Sequence, residues 1–578
     1  MRPRAQSLQS VSLVPEVALI SNVESDMPER LVDTLRRQFS HDAFRPGQEA
    51  VVSCAIDGHD LLAVMPTGSG KSVCYQLPAV VLPGLTLVIS PLISLMKDQV
   101  GDLRRRGISA GALHSSQADA ERHEVFDAAR AGRLRLLYVA PERFASPRFA
   151  DMISGVPLAR FVVDEAHCVS SWGHDFRPDY RRLSAAARAC RRSDGAAGRP
   201  PMLAFTATAT PEVRDDIVSL LGLHQPKLFV SGFDRPNIEL RVLPVSGDID
   251  KHQRLPALVG KSRALVYGAT RRRAEDAAAT LVTAGIAAAP YHAGLAERER
   301  SRVQDQFAAG SLQVVCATNA FGMGIDRPDI DAVIHVDIPG SVEAYYQEVG
   351  RAGRDGRTAI ATLLWNFADV RTREFLIDKA RDDDADRPKP AVDPVELARR
   401  RELDHLKLKR IIAYAETAQC LRATILRYFG DPDAREPCDG CGNCLSRSRL
   451  DADQVLLVRK ILSGIARAGE RYGKRRISAM LTGAMDDLPP PLTQLSTTGL
   501  LREHDARFVE RWIDTASAGG LIDVSADKYR TLSLSRLGRE VMAGRATDVA
   551  LLLPRSPNWS RRRKRPKAKG RRQRSGTR

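Results

Sequence analysis

No run of about 18 consecutive apolar residues occurs in the 578-residue sequence, so a helical membrane span is excluded. A secretory leader is not expected either: the apolar stretch VSLVPEVALI that follows Arg2 and Arg4 is broken by Pro15 and Glu16. Residues 1–28 read as a loose arm. No paired cysteine spacing suggests a disulfide framework. Of nine Cys, five (Cys54, Cys74, Cys168, Cys190, Cys316) are scattered through apolar or loop contexts, and four fall together near residue 440. An odd total with one cluster fits reduced thiols and a metal site in a cytoplasmic protein. Repeats at solenoid periods are also absent. What remains is an ordinary globular composition, 43% hydrophobic and 27% charged, in a chain long enough for three to five domains.

Acid is lacking in one place. From Pro554 to the end the chain has nine Arg, three Lys and no Asp or Glu, which accounts for +12 of the +17 net charge. Such a block suits a polyanion without reading its sequence. A tail that only aids solubility is the plainer alternative.

Between these ends the pattern is α/β. DLLAVMP, LTLVISP, LRLLYVAP, RFVVDEAH and PMLAFTAT are short and apolar throughout, as expected of buried parallel strands, and helical patterns separate them over 29–222. SRALVYGAT, IAAAPYHAG, LQVVCATNA and DAVIHVDIP begin a second set, placed in 223–378. Two tandem parallel-sheet domains offer a ligand cleft. A charged, Pro-rich linker then leads to a helical, cysteine-bearing segment, together 379–450. Residues 451–548 pass from helices to the hairpin signal GLIDVSADKYRTLSLS, compatible with a winged helix whose wing lies near Ser525–Tyr529. The basic tail occupies 549–578.

Chemistry concentrates at three points. MPTGSGKS, Met65–Ser72, sits between a strand and a helix as a phosphate loop should: Thr67, Gly68, Ser69 and Gly70 offer backbone N–H groups, Lys71 reaches the outer phosphates and Ser72 can hold magnesium. Its first residue departs from the general pattern, which has Gly where Met65 stands. FVVDEAH ends a strand with Asp164, suited to a metal, and Glu165, suited as general base for an attacking water. QEVGRAGRDGR carries Arg351 and Arg354, either able to meet charge on a γ-phosphate from across a cleft. Capped strand ends and surface arginines are the bland alternatives. Separately, Cys438, Cys441 and Cys444 form C-x-x-C-x-x-C and Cys420 lies upstream; four thiolates make a closed, structural zinc set.

These motifs together resemble the RecQ family of superfamily 2 DNA helicases, from about Leu31 to Ala546. FRPGQ (Phe44–Gln48) resembles its motif 0, MPTGSGKS its motif I with the same leading Met, ISPLISLMKDQV its motif Ia, DEAH its motif II, FTATAT its motif III, ATNAFGMGIDRPD its motif V and QEVGRAGRDGR its motif VI. The resemblance implies two RecA-like domains, a helical zinc-binding subdomain and a winged helix, with ATP, Mg²⁺ and Zn²⁺ as cofactors. It implies that Arg45 and Gln48 recognise adenine, with His41 where many relatives place a stacking Tyr. It also implies that DEAHCVSSWGHDFRPDY continues into an aromatic-rich loop in which Ser170, Trp172, His174, Phe176 and Arg177 sense single-stranded DNA, while Thr206 and Thr208 couple it to the ATPase site. Stacking on Trp or Phe is worth roughly 1–3 kcal/mol per base. Core packing is the alternative fate of these rings. The expected partners are single-stranded and duplex DNA, with a single-stranded DNA-binding protein a further one, and the expected activity is 3′ to 5′ unwinding in repair and recombination. Many bacterial relatives end in a further small helical domain; here only the basic tail follows the winged helix, and it is expected to substitute as a non-specific DNA contact. An RNA helicase, a duplex translocase and a DNA-binding scaffold with a decayed ATPase are the rivals.

Overall fold

The computed structural model describes residues 29–66, 68–114, 117–173, 175–230, 232–318, 327–379, 394–431, 433–484, 488–525, 530–546 and 549–553. The chain divides into two compact units between Ser446 and Arg447.

The first unit holds two parallel sheets. In the first lobe the strands are β1 (Leu61–Val64), β2 (Leu85–Ile89), β3 (Ala110–Leu113), β4 (Leu136–Val139), β5 (Pro157–Val163), β6 (Arg191–Arg192), β7 (Met202–Thr206) and β8 (Lys227–Val230), in the order β3-β4-β2-β5-β7-β1-β8 with β6 beside β5. Alternate residues serve opposite faces. Leu62, Val64, Leu87 and Ile89 enter one core, Leu61, Ala63 and Val88 the other, so both faces are buried, and continuous apolar runs follow from that. Each such Leu, Ile or Val side chain, fully buried, stabilises by about 1.5–3 kcal/mol. β8 corrects the sequence boundary at Gly222: it pairs in parallel with β1, so the first lobe runs on to Val230. Gly222 closes the helix Pro211–Leu221 in a left-handed conformation, a helix stop that resembles a domain end, and the half-buried edge strand beyond it lacks an apolar run.

The second lobe contains β9 (Ile238–Pro244), β10 (Ala264–Tyr267), β11 (Ala288–Tyr291), β12 (Val314–Ala317), β13 (Ala332–His335) and β14 (Ala359–Trp365), ordered β11-β12-β10-β13-β14-β9. All its pairings are parallel. The helices Pro394–Glu416 and Leu421–Tyr428 follow, and Cys441 then forms a parallel bridge with Leu240, which covers the exposed edge strand β9. No helix among the described residues is long and apolar enough to cross a membrane.

The second unit starts with β15 (Arg447–Arg449) and the helix Ala452–Arg467, capped reciprocally by Asp451 and Gln454. The helices Lys474–Thr482 and Ala506–Ala518 precede an antiparallel hairpin of β16 (Ile522–Val524) and β17 (Leu532–Leu534), in register Ile522↔Leu534. β18 (Ala550–Leu552) pairs with β15. Val458, Ile461, Leu462, Ile477, Leu481 and Trp512 supply much of a separate core. The wing tip at 526–529, the linker at 380–393, the segment 319–326 of the motif V resemblance, the N-terminal arm and the tail from 554 lie outside the described residues.

Candidate active site and metal centre

Strand order explains why distant motifs meet. β5, β7 and β1 are neighbours, so their carboxyl ends set Asp164, Thr206 and the phosphate loop side by side. The Met65 N–H donates to the Thr206 carbonyl at 2.9 Å. Met65 itself is 1% exposed, a core residue, which gives the unusual first letter of the loop a packing role.

The loop turns through Gly68 at φ 86° and Gly70 at φ 80°, then enters the helix Lys71–Val81, whose N-terminus favours anions. Arg45 and Gln48 lie on this loop. The Arg45 guanidinium donates to the Gly68 carbonyl, and Gln48 Nε2 to the carbonyls of Ser69 (2.9 Å) and Gly70 (3.2 Å). The Gln48 Oε1 accepts from the Arg45 N–H at 2.8 Å. A Cβ on Gly70 would come within 2.5 Å of Gln48 Nε2, so the close approach requires glycine. Lys71 Nζ donates to the Met65 carbonyl at 3.2 Å. His41 lies at the surface; its partial desolvation and then the charge of Arg45 hold its imidazole below the usual range. Thr67 lies outside the described residues.

Asp164 is buried at the end of β5, and burial together with the charge of Glu165 pushes its carboxyl up to about 7, against the pull of Lys71. This acid pair, with Asp164 within electrostatic reach of Lys71 of the phosphate loop, has the hard oxygen donors that a divalent cation selects. Glu165 occupies the left-handed region at φ 48°, a conformation that costs energy for a residue with a Cβ and is typical of functional sites. His167 was not among the residues chosen from the sequence. Its Nδ1 lies 3.3 Å from Glu165 Oε2 and 2.9 Å from Thr206 Oγ1, joining the acid of motif II to motif III. Burial opposes its protonation, but Cys168 and then Glu165 outweigh it and raise its pKa to about 10. The letters DEAH contained this residue; only the fold reveals that it faces Thr206. Thr208 is buried, its N–H donating to Thr206 Oγ1 at 3.3 Å.

The aromatic segment folds directly behind this site. Tyr180 donates its hydroxyl hydrogen to the Asp164 carbonyl at 3.0 Å. Ser170 Oγ donates to Asp216 at 2.5 Å and accepts from the Trp172 N–H at 3.1 Å. Trp172 is half-buried against the main core. Gly173 has no room for a side chain, since a Cβ there would meet the His167 carbonyl at 2.3 Å. Phe176 lies between two guanidinium groups, Arg181 at 4.9 Å and Arg400 at 4.3 Å from its ring centre. Arg177 pairs with Asp175 at 3.1 Å and donates to the Pro91 carbonyl at 3.0 Å, within the motif Ia segment. Lys407, buried on the helix Pro394–Glu416, donates to the Gly173 carbonyl at 2.7 Å. His174 lies outside the described residues.

The two arginines of the second lobe differ. Arg354 runs past the phosphate loop, its Cγ 3.7 Å from where a Cβ of Gly68 would stand. Arg351 is 5% exposed and hydrogen-bonds to Tyr267. Arg354 therefore lies against the loop at Gly68.

The sulfur atoms of Cys420, Cys438, Cys441 and Cys444 all lie within 4.8 Å of one another, with Cys420–Cys441 and Cys438–Cys444 each at 3.9 Å. Tetrahedral zinc with Zn–S bonds of about 2.3 Å needs sulfurs about 3.8 Å apart. The set fits Zn²⁺ and leaves no protein ligand position open.

A phosphate loop, an acid pair and an arginine from a second parallel-sheet lobe define a two-lobed, nucleotide-driven motor. Four family models match in succession: DEAD/DEAH box helicase over residues 45–217, helicase conserved C-terminal domain over 250–356, RecQ zinc-binding over 367–445 and RQC domain over 450–557. The ATP-dependent DNA helicase RecQ of Bacillus subtilis (strain 168) is 36% identical over 526 residues, covering 90% of this chain and 84% of that protein. The protein of the same name from Pasteurella multocida (strain Pm70) is 36% identical over 536 residues, covering 92% and 81%. RecQ-like DNA helicase blm-1 of Caenorhabditis elegans is 37% identical over 460 residues, 76% of this chain and 44% of that protein. The chain belongs to the RecQ helicase family.

Proposed function

We propose that the chain is an ATP-dependent DNA helicase that moves 3′ to 5′ along one strand and separates duplex DNA in repair and recombination. The observation that carries the reading is the meeting of Arg354 with the phosphate loop at Gly68, because hydrolysis then needs both lobes. Its relatives' names support the choice of DNA.

Each residue has a chemical task. Arg45 and Gln48 present polar edges to adenine, and His41 a ring. The loop N–H groups and Lys71 bind phosphate oxygens. Ser72 and Asp164 would hold Mg²⁺, which would neutralise phosphate charge. Glu165 takes a proton from the attacking water. Arg351 and Arg354 offset charge developing on the γ-phosphate. Trp172, Phe176, Arg177 and His174 engage the strand, and Ser170, His167, Thr206 and Thr208 connect that loop to Glu165. The tail, with +12 and no acid, is a non-specific DNA contact. A single-stranded DNA-binding protein on the product strand is a further partner. Five buried, unpaired cysteines outside the metal cluster support a reducing cytoplasm.

The test is strand displacement on matched 3′-overhang, 5′-overhang and RNA-containing duplexes, with Glu165→Gln as control. ATP-dependent opening of the 3′-overhang DNA is expected. Opening only from a 5′ overhang refutes the polarity; opening only of RNA refutes the substrate.

A further inference from the structure

A file of buried rings runs from the cysteine cluster to the arginine pair. Tyr414, near the end of the helix Pro394–Glu416 and within electrostatic reach of Cys441 and Cys420, packs on Tyr345 with centroids 5.2 Å apart. Tyr345 meets His335 at 5.1 Å, and His335 stacks on Tyr267 at 5.3 Å with planes 21° apart. Tyr267 and His335 are the last residues of β10 and β13 and lie opposite each other in register, so their side chains leave the sheet on one face. Tyr267 then hydrogen-bonds to Arg351. The four rings and Arg351 are at most 5% exposed.

Plain core packing does not require these residue types. Phe would fill position 335 without leaving a buried polar atom, yet His335 Nδ1 and Arg351 Nε are buried with no hydrogen-bond partner among the described residues. Each such atom costs about 1–3 kcal/mol, which asks for a compensating role. The His335 ring is also tied down: its Nε2 is 2.7 Å from Glu348, on the helix Val342–Val349 that carries Tyr345 and runs directly towards Arg351.

We infer that this file positions Arg351: Tyr414, Tyr345, His335 and Tyr267 transmit the seating of the zinc-binding subdomain to the guanidinium. The inference rests on the proposed role of Arg351 at the γ-phosphate. Close-packed rings carry a displacement because no void absorbs it, and a misplacement of about 1 Å can cost a reaction 10²-fold. His335 and Tyr345 are thus positioning residues rather than catalytic ones.

The experiment is DNA-stimulated ATP turnover by the full chain carrying His335→Ala, Tyr345→Phe, Arg351→Ala and the His335/Arg351 double substitution, with zinc content and melting temperature measured in parallel. His335→Ala is expected to lower kcat roughly tenfold with KM for ATP changed less than about twofold, the pattern of a lost transition-state contact. Tyr345→Phe, which keeps the ring, should stay near wild type. In the Arg351→Ala background His335→Ala should cost nothing more, since effects exerted through one group are not additive. Independent, additive losses, or a raised KM with kcat intact, would overturn the relay. If His335→Ala does not fold, His335→Gln, which keeps a donor for Glu348 but not the stack, carries the same expectation. An unchanged kcat in Arg351→Ala defeats the role of Arg351 itself; a low kcat there with a normal His335 variant defeats only the relay.

Discussion

The ring of Phe429 stacks on the ring of Phe233 with centroids 4.7 Å apart and planes 13° from parallel. Phe233 lies in the short passage between β8 and β9, where the chain crosses from one lobe to the other, and Phe429 follows the helix Leu421–Tyr428 of the zinc-binding segment. The passage is held on every side. Its Phe233 N–H donates to Asp431 at 2.8 Å and its carbonyl accepts from Tyr346 at 2.8 Å. Arg422 donates to Asp234 (2.6 Å) and to the carbonyls of Arg235 (2.6 Å) and Ile238 (2.7 Å), while Arg214 of the first lobe donates to the Phe429 carbonyl. A subdomain that would otherwise be an appendage therefore braces the inter-lobe hinge.

Phe429→Ala should lower stability by about 3–5 kcal/mol, the usual result of emptying a buried aromatic site. Phe429→Leu should recover most of that. Urea unfolding decides it: a change below about 1 kcal/mol for the alanine variant would mean the site collapses and the stack holds little.

Zinc removal should act at the same hinge, because Phe429 and Asp431 lie between Cys420 and Cys438 in the chain. Binding to a four-cysteine site contributes on the order of 10 kcal/mol that folding of the segment otherwise lacks. Metal analysis should find one zinc per chain, and Cys441→Ser should lose it, lower the melting temperature and reduce ATP turnover together. Metal-free protein with unchanged melting and turnover would remove zinc from the account.

Glu165→Gln keeps the shape of the side chain and removes the base. Turnover should fall roughly 10²–10⁴-fold while nucleotide affinity stays close to wild type. Equal turnover in the two proteins would assign the proton to another group.

What was legible in the sequence was what is local. A phosphate loop, a DEAH segment and a C-x-x-C-x-x-C run are each contiguous, and their chemistry depends on close spacing. Buried strands such as LLAV and LTLVI announce themselves by unbroken apolar runs, since both faces are covered. β8 carries no such mark, because an edge strand needs no apolar run, and the helix stop at Gly222 mimics a domain end. Contacts between remote residues carry no local mark: nothing near His167 names Thr206, and nothing near Phe176 names Arg400. The difference between Arg351 and Arg354 arises in the same way, from partners in β10 and in the phosphate loop that only folding supplies.

Lys407 gives the aromatic loop a contact that sequence spacing could not suggest. A buried ammonium donating to the Gly173 carbonyl fixes the loop two residues before Asp175 and three before Phe176. Lys407→Met keeps the stem and removes the charge-assisted bond, worth about 1.5–3 kcal/mol. Half-maximal stimulation of ATP turnover should then require a DNA concentration altered roughly tenfold, the equivalent of 1.4 kcal/mol. An unchanged stimulation curve would show that the loop is held without Lys407.

Asp60 ties the start of β1 in the first lobe, and its acid titration should be visible in stability. The carboxylate is 7% exposed and accepts from Arg199 (2.9 Å), the Met202 N–H (2.9 Å) and the His224 N–H (2.6 Å). Burial pushes its pKa up, but Arg199 and the two N–H groups outweigh burial and hold it below the ordinary value. A carboxylate whose pKa is lower in the folded chain stabilises fully above its unfolded value of about 3.9, and the contribution is lost as pH falls below that value through the folded one. Asp60→Asn leaves Arg199 buried without its counter-charge, which costs about 3–5 kcal/mol at neutral pH. The stability gap between wild type and variant should stay constant from pH 7 to about 5 and narrow towards pH 3. Unfolding measured across that range decides the matter, and a gap that does not narrow on acidification would mean that Asp60 is not the titrating tie.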